Sequence, residues 1–119
     1  MIAKKPIVIY GIKNCDTMKK ARGWLEKRGV AYVFHDYKEK GIDRSRLKDW
    51  VIRAGWEKLL NRSSATFRDL PEQERDGLTE GKAIALMLER PTMIKRPVLD
   101  LGDTLLVGFN PKIYDAEVG

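Results

Sequence analysis

Residues 7–36 hold an apolar run, an amphipathic stretch and a second apolar run, and this order constrains the fold more than any other feature of the chain. Ile7–Tyr10 reads as a short strand that breaks at Gly11. Met18, Ala21, Trp24 and Leu25 then recur at three- and four-residue spacing, which is one face of a helix stopped by Gly29. Ala31–Asp36 reads as the next strand. Strand, helix and strand in so short a span make a βαβ unit, whose two strands run parallel because the helix carries the chain back along the sheet.

The middle of the chain changes character. Between Arg44 and Arg90 there is almost no strand signal. Leu47, Trp50, Val51 and Ala54 have helical spacing, with Asp43 as the cap and Gly55 as the stop. Trp56, Leu59 and Leu60 form a short second element, and Ser63–Thr66 reads as a loop. Pro71 stands where a first helical residue is favoured, and Ala83–Leu88 gives a further helix ending before Pro91. Val98–Asp100 and Leu105–Val107, separated by Gly102-Asp103, read as a β-hairpin. Asn110 and Pro111 then open a short helix. The expected fold is α/β: a core of four mixed strands from residues 1–43 and 91–119, with a helical subdomain inserted at 44–90, all in a single domain of 119 residues.

Charge and composition narrow the function classes. Lys and Arg outnumber Asp and Glu 23 to 17, a net charge of +6. The basic residues are punctuated by Asp36, Glu39, Asp43, Asp49, Glu57 and Asp69, so no basic block forms and no nucleic-acid partner is expected. No apolar stretch approaches the roughly 20 residues that span a bilayer. The first residues, Met1–Pro6, carry no signal-peptide apolar region. A single cysteine cannot form an internal disulfide, so a cytoplasmic location and a monomer are the expectations.

That cysteine, Cys15, stands where the first strand gives way to the helix. Backbone N–H groups converge at a helix start and favour a thiolate, the nucleophilic form of the side chain. Lys13, Asn14, Thr17 and Lys19 surround it as candidate stabilisers, whereas the adjacent Asp16 works against a second negative charge. Met18 occupies the place of the second cysteine in a Cys-x-x-Cys pair. A disulfide formed by Cys15 therefore needs an outside thiol to resolve it, and glutathione is the obvious one. Met18 itself reads as core packing.

The other candidates weigh less. Arg62 and Arg68 flank the Ser/Thr loop, and guanidinium groups bind carboxylates and oxyanions in a bidentate manner, although most arginines in so basic a chain are solvated. His35 has no Asp or Ser motif beside it and reads as a structural residue of its strand. Trp24, Trp50 and Trp56 have core spacing. One cysteine and one histidine make no metal site alone, so no bound cofactor or metal is expected.

Three segments resemble the arsenate reductase (ArsC)/Spx family, and most closely its YffB-like branch: Tyr10–Tyr37, Gly55–Arg68 and Pro91–Pro111. The resemblance implies a thioredoxin-like (glutaredoxin-like) core interrupted by helices. It implies that Cys15 is the nucleophile and that Arg96 precedes a cis proline, Pro97. It also implies a glutathione-dependent thiol reductase, with glutathione as cosubstrate, glutaredoxin as a possible partner, and Arg96, Pro97 and Arg62 near the substrate. Arsenate reductases of this family hold their oxyanion with three arginines. Gly108 and Asn61 stand at two of those places here, with Arg62 beside Asn61 but out of register, and only Arg96 is retained. Arsenate reduction is thus an alternative that the missing donors disfavour. A non-catalytic Spx-like regulator that binds RNA polymerase is a second, and Met18 removes the Cys-x-x-Cys switch such proteins usually carry.

Overall fold

A computed structural model describes residues 6–118. In chain order its elements begin with β1 (Val8–Gly11), α1 (Asp16–Lys27) and β2 (Val33–Asp36). A helical run follows: α2 (Tyr37–Lys40), α3 (Arg44–Ala54), α4 (Trp56–Leu59), α5 (Ala65–Arg68), α6 (Glu72–Arg75), α7 (Glu80–Glu89) and a 3-10 turn at Pro91–Met93. The chain then returns to β3 (Val98–Asp100), β4 (Leu105–Val107) and α8 (Pro111–Val118). It divides into two compact units, Met1–Asp36 with Arg96–Gly119, and Tyr37–Lys95. The insertion read from the sequence at 44–90 lies inside the second unit, which also takes in α2 and the 3-10 turn.

The first unit is built on a four-stranded sheet of order β2-β1-β3-β4. β1 and β2 are parallel, as the βαβ reading requires, and β1–β3 and β3–β4 are antiparallel. β2 starts at Val33 rather than at Ala31, because the ladder opens with the Val33 N–H donating to the Ile7 carbonyl at 2.9 Å. Alternate residues of a strand face opposite sides of the sheet. Ile9 and its partner Leu99 thus share one face, and there they meet Met18, Ala21, Trp24 and Leu25 of α1 and Tyr114 of α8.

Aromatic geometry ties this core together. Tyr114 stands edge-on to Trp24, with centroids 5.5 Å apart, and edge-on to Phe109 at 4.9 Å. Such pairs contribute about 0.5–1.5 kcal/mol each beyond the area they bury. The Asn110 side chain caps α8 by accepting from the N–H groups of Lys112 and Ile113. The β3–β4 hairpin has the limits the sequence implies, and the last helix opens at Pro111 as expected and runs on to Val118.

In the second unit, α3 begins at Asp43, whose carboxylate accepts from the Ser45 N–H, and ends at Gly55. Leu47, Trp50 and Val51 form its buried face. The Ser63–Thr66 stretch is only partly a loop. Ser64 accepts from the Phe67 N–H and starts α5, so its hydroxyl supplies a cap that the reading took for loop polarity. Pro71 is likewise the residue before a helix rather than its first turn, which begins at Glu72. Leu60 and Ile94 form an isolated antiparallel bridge, flanked by bonds from Asn61 N–H to Met93 O and from Lys95 N–H to Leu59 O, each 2.7 Å.

Gly23 lies exposed within α1, and a Cβ added there would have nothing within 4 Å. Gly23→Ala is expected to stabilise the protein by about 0.5–1 kcal/mol through the loss of backbone freedom in the unfolded chain. Urea unfolding of the two proteins checks this, and a loss of stability would contradict it.

Candidate functional site

The site forms where β1 ends and α1 begins. Lys13 and Asn14 make an exposed bend, and Cys15 is the N-cap of α1 in an extended conformation (φ −133°, ψ 128°). A residue in that place has the next backbone N–H groups of the first turn directed at its side chain. Sulfur is larger than oxygen, and the Cys15 side chain closes no cap hydrogen bond of the kind Ser64 makes to Phe67. The thiol is partly exposed and free.

The sheet register brings a cation to the same place. β3 runs antiparallel to β1 with Tyr10 opposite Val98. Arg96, two residues before Val98, therefore arrives beyond the end of β1, where α1 starts. The Arg96–Pro97 peptide bond is cis, and the Pro97 carbonyl accepts from the Gly108 N–H at 2.8 Å. The resemblance had implied that cis bond.

Opposing effects act on the Cys15 thiol. Burial is the largest single one and pushes its pKa up. The Met18 N–H, the Arg96 side chain and the Thr17 N–H face the sulfur and favour the charged form, and the Arg96 charge adds to them. Together they outweigh burial, and the thiol lies below its ordinary value. The active cation is Arg96. Lys13 and Lys19 are exposed, and Asn14 lies in the bend before the cap. Thr17 acts through its backbone, and its side chain is exposed.

The reading of Met18 as packing is half of its role. Its side chain is fully buried in the core, and its amide faces the sulfur and favours the thiolate. The signal was present in the sequence: once Cys15 is the cap, Met18 is the third residue of the helix, where a capping donor sits.

Each of the remaining candidates has neighbours of its own. His35 sets its ring 4.9 Å from that of Tyr10, its partner across the parallel β1–β2 ladder. Arg62 belongs to the helical unit, exposed, with its guanidinium 5.6 Å from the Trp56 ring centroid. The neighbouring Asn61 is occupied with its own turn, its side chain accepting from the Ser63 N–H and its carbonyl from the Ser64 hydroxyl. Arg68 is exposed in the last turn of α5. Among the described residues no three His, Cys, Asp or Glu side chains form a group that could hold a metal ion, and no helix is long and apolar enough to cross a membrane.

Gly108 has φ +83°, a left-handed conformation that a side chain strains. Gly108→Arg is expected to cost about 1–2 kcal/mol of stability, read by urea unfolding, and an unchanged midpoint would contradict that. For the thiol, alkylation by iodoacetamide against pH is expected to show a midpoint below the ordinary cysteine value. Arg96→Met should move it upward, because it removes both a donor that favours the thiolate and a positive charge. A midpoint unmoved by Arg96→Met would deny the arginine its role.

Three comparisons with known proteins bear on this geometry. A solved structure of the protein YffB is 57% identical and superposes with a TM-score of 0.92, covering 95% of this chain and 99% of that one. The solution structure of an arsenate reductase (ArsC) related protein from Brucella melitensis is 49% identical, with a TM-score of 0.77 and coverage of 99% and 98%. The global transcriptional regulator Spx 2 of Bacillus cereus is 27% identical over 107 residues, 87% of this chain and 80% of its own length. The ArsC family model matches residues 10–116, a span that holds Cys15, Arg96 and Pro97 alike, and the chain therefore belongs to the ArsC family.

Proposed function

We propose that this protein is a thiol-redox enzyme, a glutathione-dependent thiol reductase that works through one nucleophilic cysteine. The observation that carries the reading is the place of Cys15, the extended N-cap of α1 with Arg96 brought to it by the β1–β3 register, where two N–H groups and the guanidinium lower the thiol pKa despite partial burial. A structural cysteine has no need of that arrangement. A nucleophile does, because the thiolate is the attacking species.

The chemistry has two displacements. The Cys15 thiolate attacks the glutathione sulfur of a glutathionylated thiol; the substrate thiolate leaves, and a Cys15–glutathione disulfide forms. A glutathione thiolate then attacks the glutathione sulfur of this adduct. Glutathione disulfide departs, and Cys15 returns as thiolate. In sum the substrate thiol is released, and its glutathionyl group leaves joined to one free glutathione as the disulfide. Arg96 stabilises Cys15 both as the attacking group in the first step and as the leaving group in the second. Exposed Lys13 and Lys19 favour the approach of anionic glutathione. Met18, buried and without a thiol, leaves resolution to the external glutathione.

The alternative of arsenate reduction loses support at the places where the family's further arginines stand. The left-handed backbone of Gly108 is strained by any side chain, and Asn61 is engaged in its own turn. Each missing oxyanion donor raises a barrier by about 3 kcal/mol in comparable sites.

Incubation with glutathione disulfide is expected to add one glutathionyl group to Cys15, read by intact-protein mass, and fresh glutathione should remove it. Cys15→Ser should form no adduct and lose reduction of a glutathionylated peptide. Turnover unchanged in Cys15→Ser would overturn the proposal.

A further inference from the structure

We propose that Gly11 and Met18 are a positioning pair that sets the reactivity of Cys15: the side chain missing at Gly11 is what lets the first turn of α1 close onto the sulfur. This rests on the reading of Cys15 as the nucleophile and adds to it the device that holds its donors in place.

Gly11 is the last residue of β1, and it is buried. Its φ is not positive, so no left-handed turn demands a glycine there. Space demands it. A Cβ built on Gly11 would overlap the Met18 Sδ outright and stand 2.9 Å from its Cε and 3.2 Å from its Cγ. A flexible thioether could ordinarily swing away from such a clash. Met18 cannot do so cheaply, because it is 0% exposed and packed in a core with Ile9, Ala21 and Leu25, themselves without exposure. The displacement must pass into its backbone.

That backbone carries the N–H of the third helical position, which faces the side chain of the N-cap Cys15. Anchor and donor therefore belong to one residue. Any side chain at position 11 lifts the first turn, and a hydrogen bond to a charged sulfur weakens steeply with misalignment. The unbranched shape of Met18 matters in the same way, since a carbon branched at Cγ would put a methyl group where the thioether lies against Gly11. Gly23, twelve residues on, makes the contrast: it is exposed, in the same helix, with nothing near its missing Cβ.

The experiment is the pH profile of iodoacetamide alkylation of Cys15 in the full chain, with folding followed by circular dichroism. Gly11→Ala is expected to move the midpoint upward and to slow alkylation about three- to tenfold below it, with the high-pH limit unchanged. The double variant Gly11→Ala/Met18→Ala, which clears the overlap, should recover the wild-type rate to within about twofold. Met18→Leu, a near volume-conserving exchange that keeps the fold, should move the midpoint in the same direction. Gly23→Ala should leave the profile in place. A Gly11→Ala profile that coincides with wild type, or one the double variant does not recover, would overturn the pair. If Gly11→Ala does not fold, the Met18→Leu profile decides, and its coincidence with wild type would overturn the pair as well. A wild-type midpoint at the ordinary thiol value would instead remove the nucleophile and, with it, the pair.

Discussion

The contest over the Cys15 sulfur, burial against two N–H groups and a guanidinium, is the interaction to which the rest of the first unit is subordinate. Burial alone would make this an inert structural cysteine. The thiol is lowered because its partners are fixed dipoles and a charge that cannot move away when the sulfur ionises. Their orientation is set before any reaction occurs. This is why the arrangement depends on packing some distance from the sulfur: the donors are only as well placed as the helix that carries them.

Three elements do the placing, and each is held by the core rather than by local propensity. α1 is pressed onto the sheet by Met18, Ala21, Trp24 and Leu25, which meet Ile9 and Leu99. α8 closes the same face through Tyr114, edge-on to Trp24. β3 brings Arg96 to the mouth of the site through the register that sets Val98 beside Tyr10. A chain whose strands paired one residue out of register would bury the same apolar area count less well and would also lose the arginine. Fold and reactivity are thus specified by the same contacts.

Much of this could be read from the residues alone, and the reasons are physical. The β1–α1–β2 order, the hairpin and the limits of α3 follow from periodicity and from caps such as Asp43 and Asn110, which act over one turn. Cys15 was legible as a helix cap for the same reason. Less legible was what depends on side-chain rivalry within short segments. Ser64 is a cap inside a stretch that reads as a loop, and β2 begins two residues late because its ladder opens with Val33, paired with Val8 and bonded to the Ile7 carbonyl. The lysines close to Cys15 are visible in the local sequence, whereas Arg96 is distant in the chain and is delivered by strand pairing. Nothing in the local pattern shows that Gly11 is a glycine for reasons of space. Only the seated thioether of Met18 reveals it.

Met18 also bears on why a single cysteine would suffice. A thiol in its place would lie within the core, where the Met18 side chain now has no exposure and lies against Gly11. Cysteine is shorter than methionine and would leave a void in that core, at a cost of the order of 2 kcal/mol or more by comparison with other truncations. The position is therefore better suited to holding the first turn of α1 than to redox exchange. On the proposed reading, resolution passes to a soluble thiol, and the enzyme keeps a rigid site at the expense of an internal partner. A rigid site of this kind favours a substrate that brings its own leaving group, as a glutathione mixed disulfide does, since the protein then has only to hold one sulfur ready.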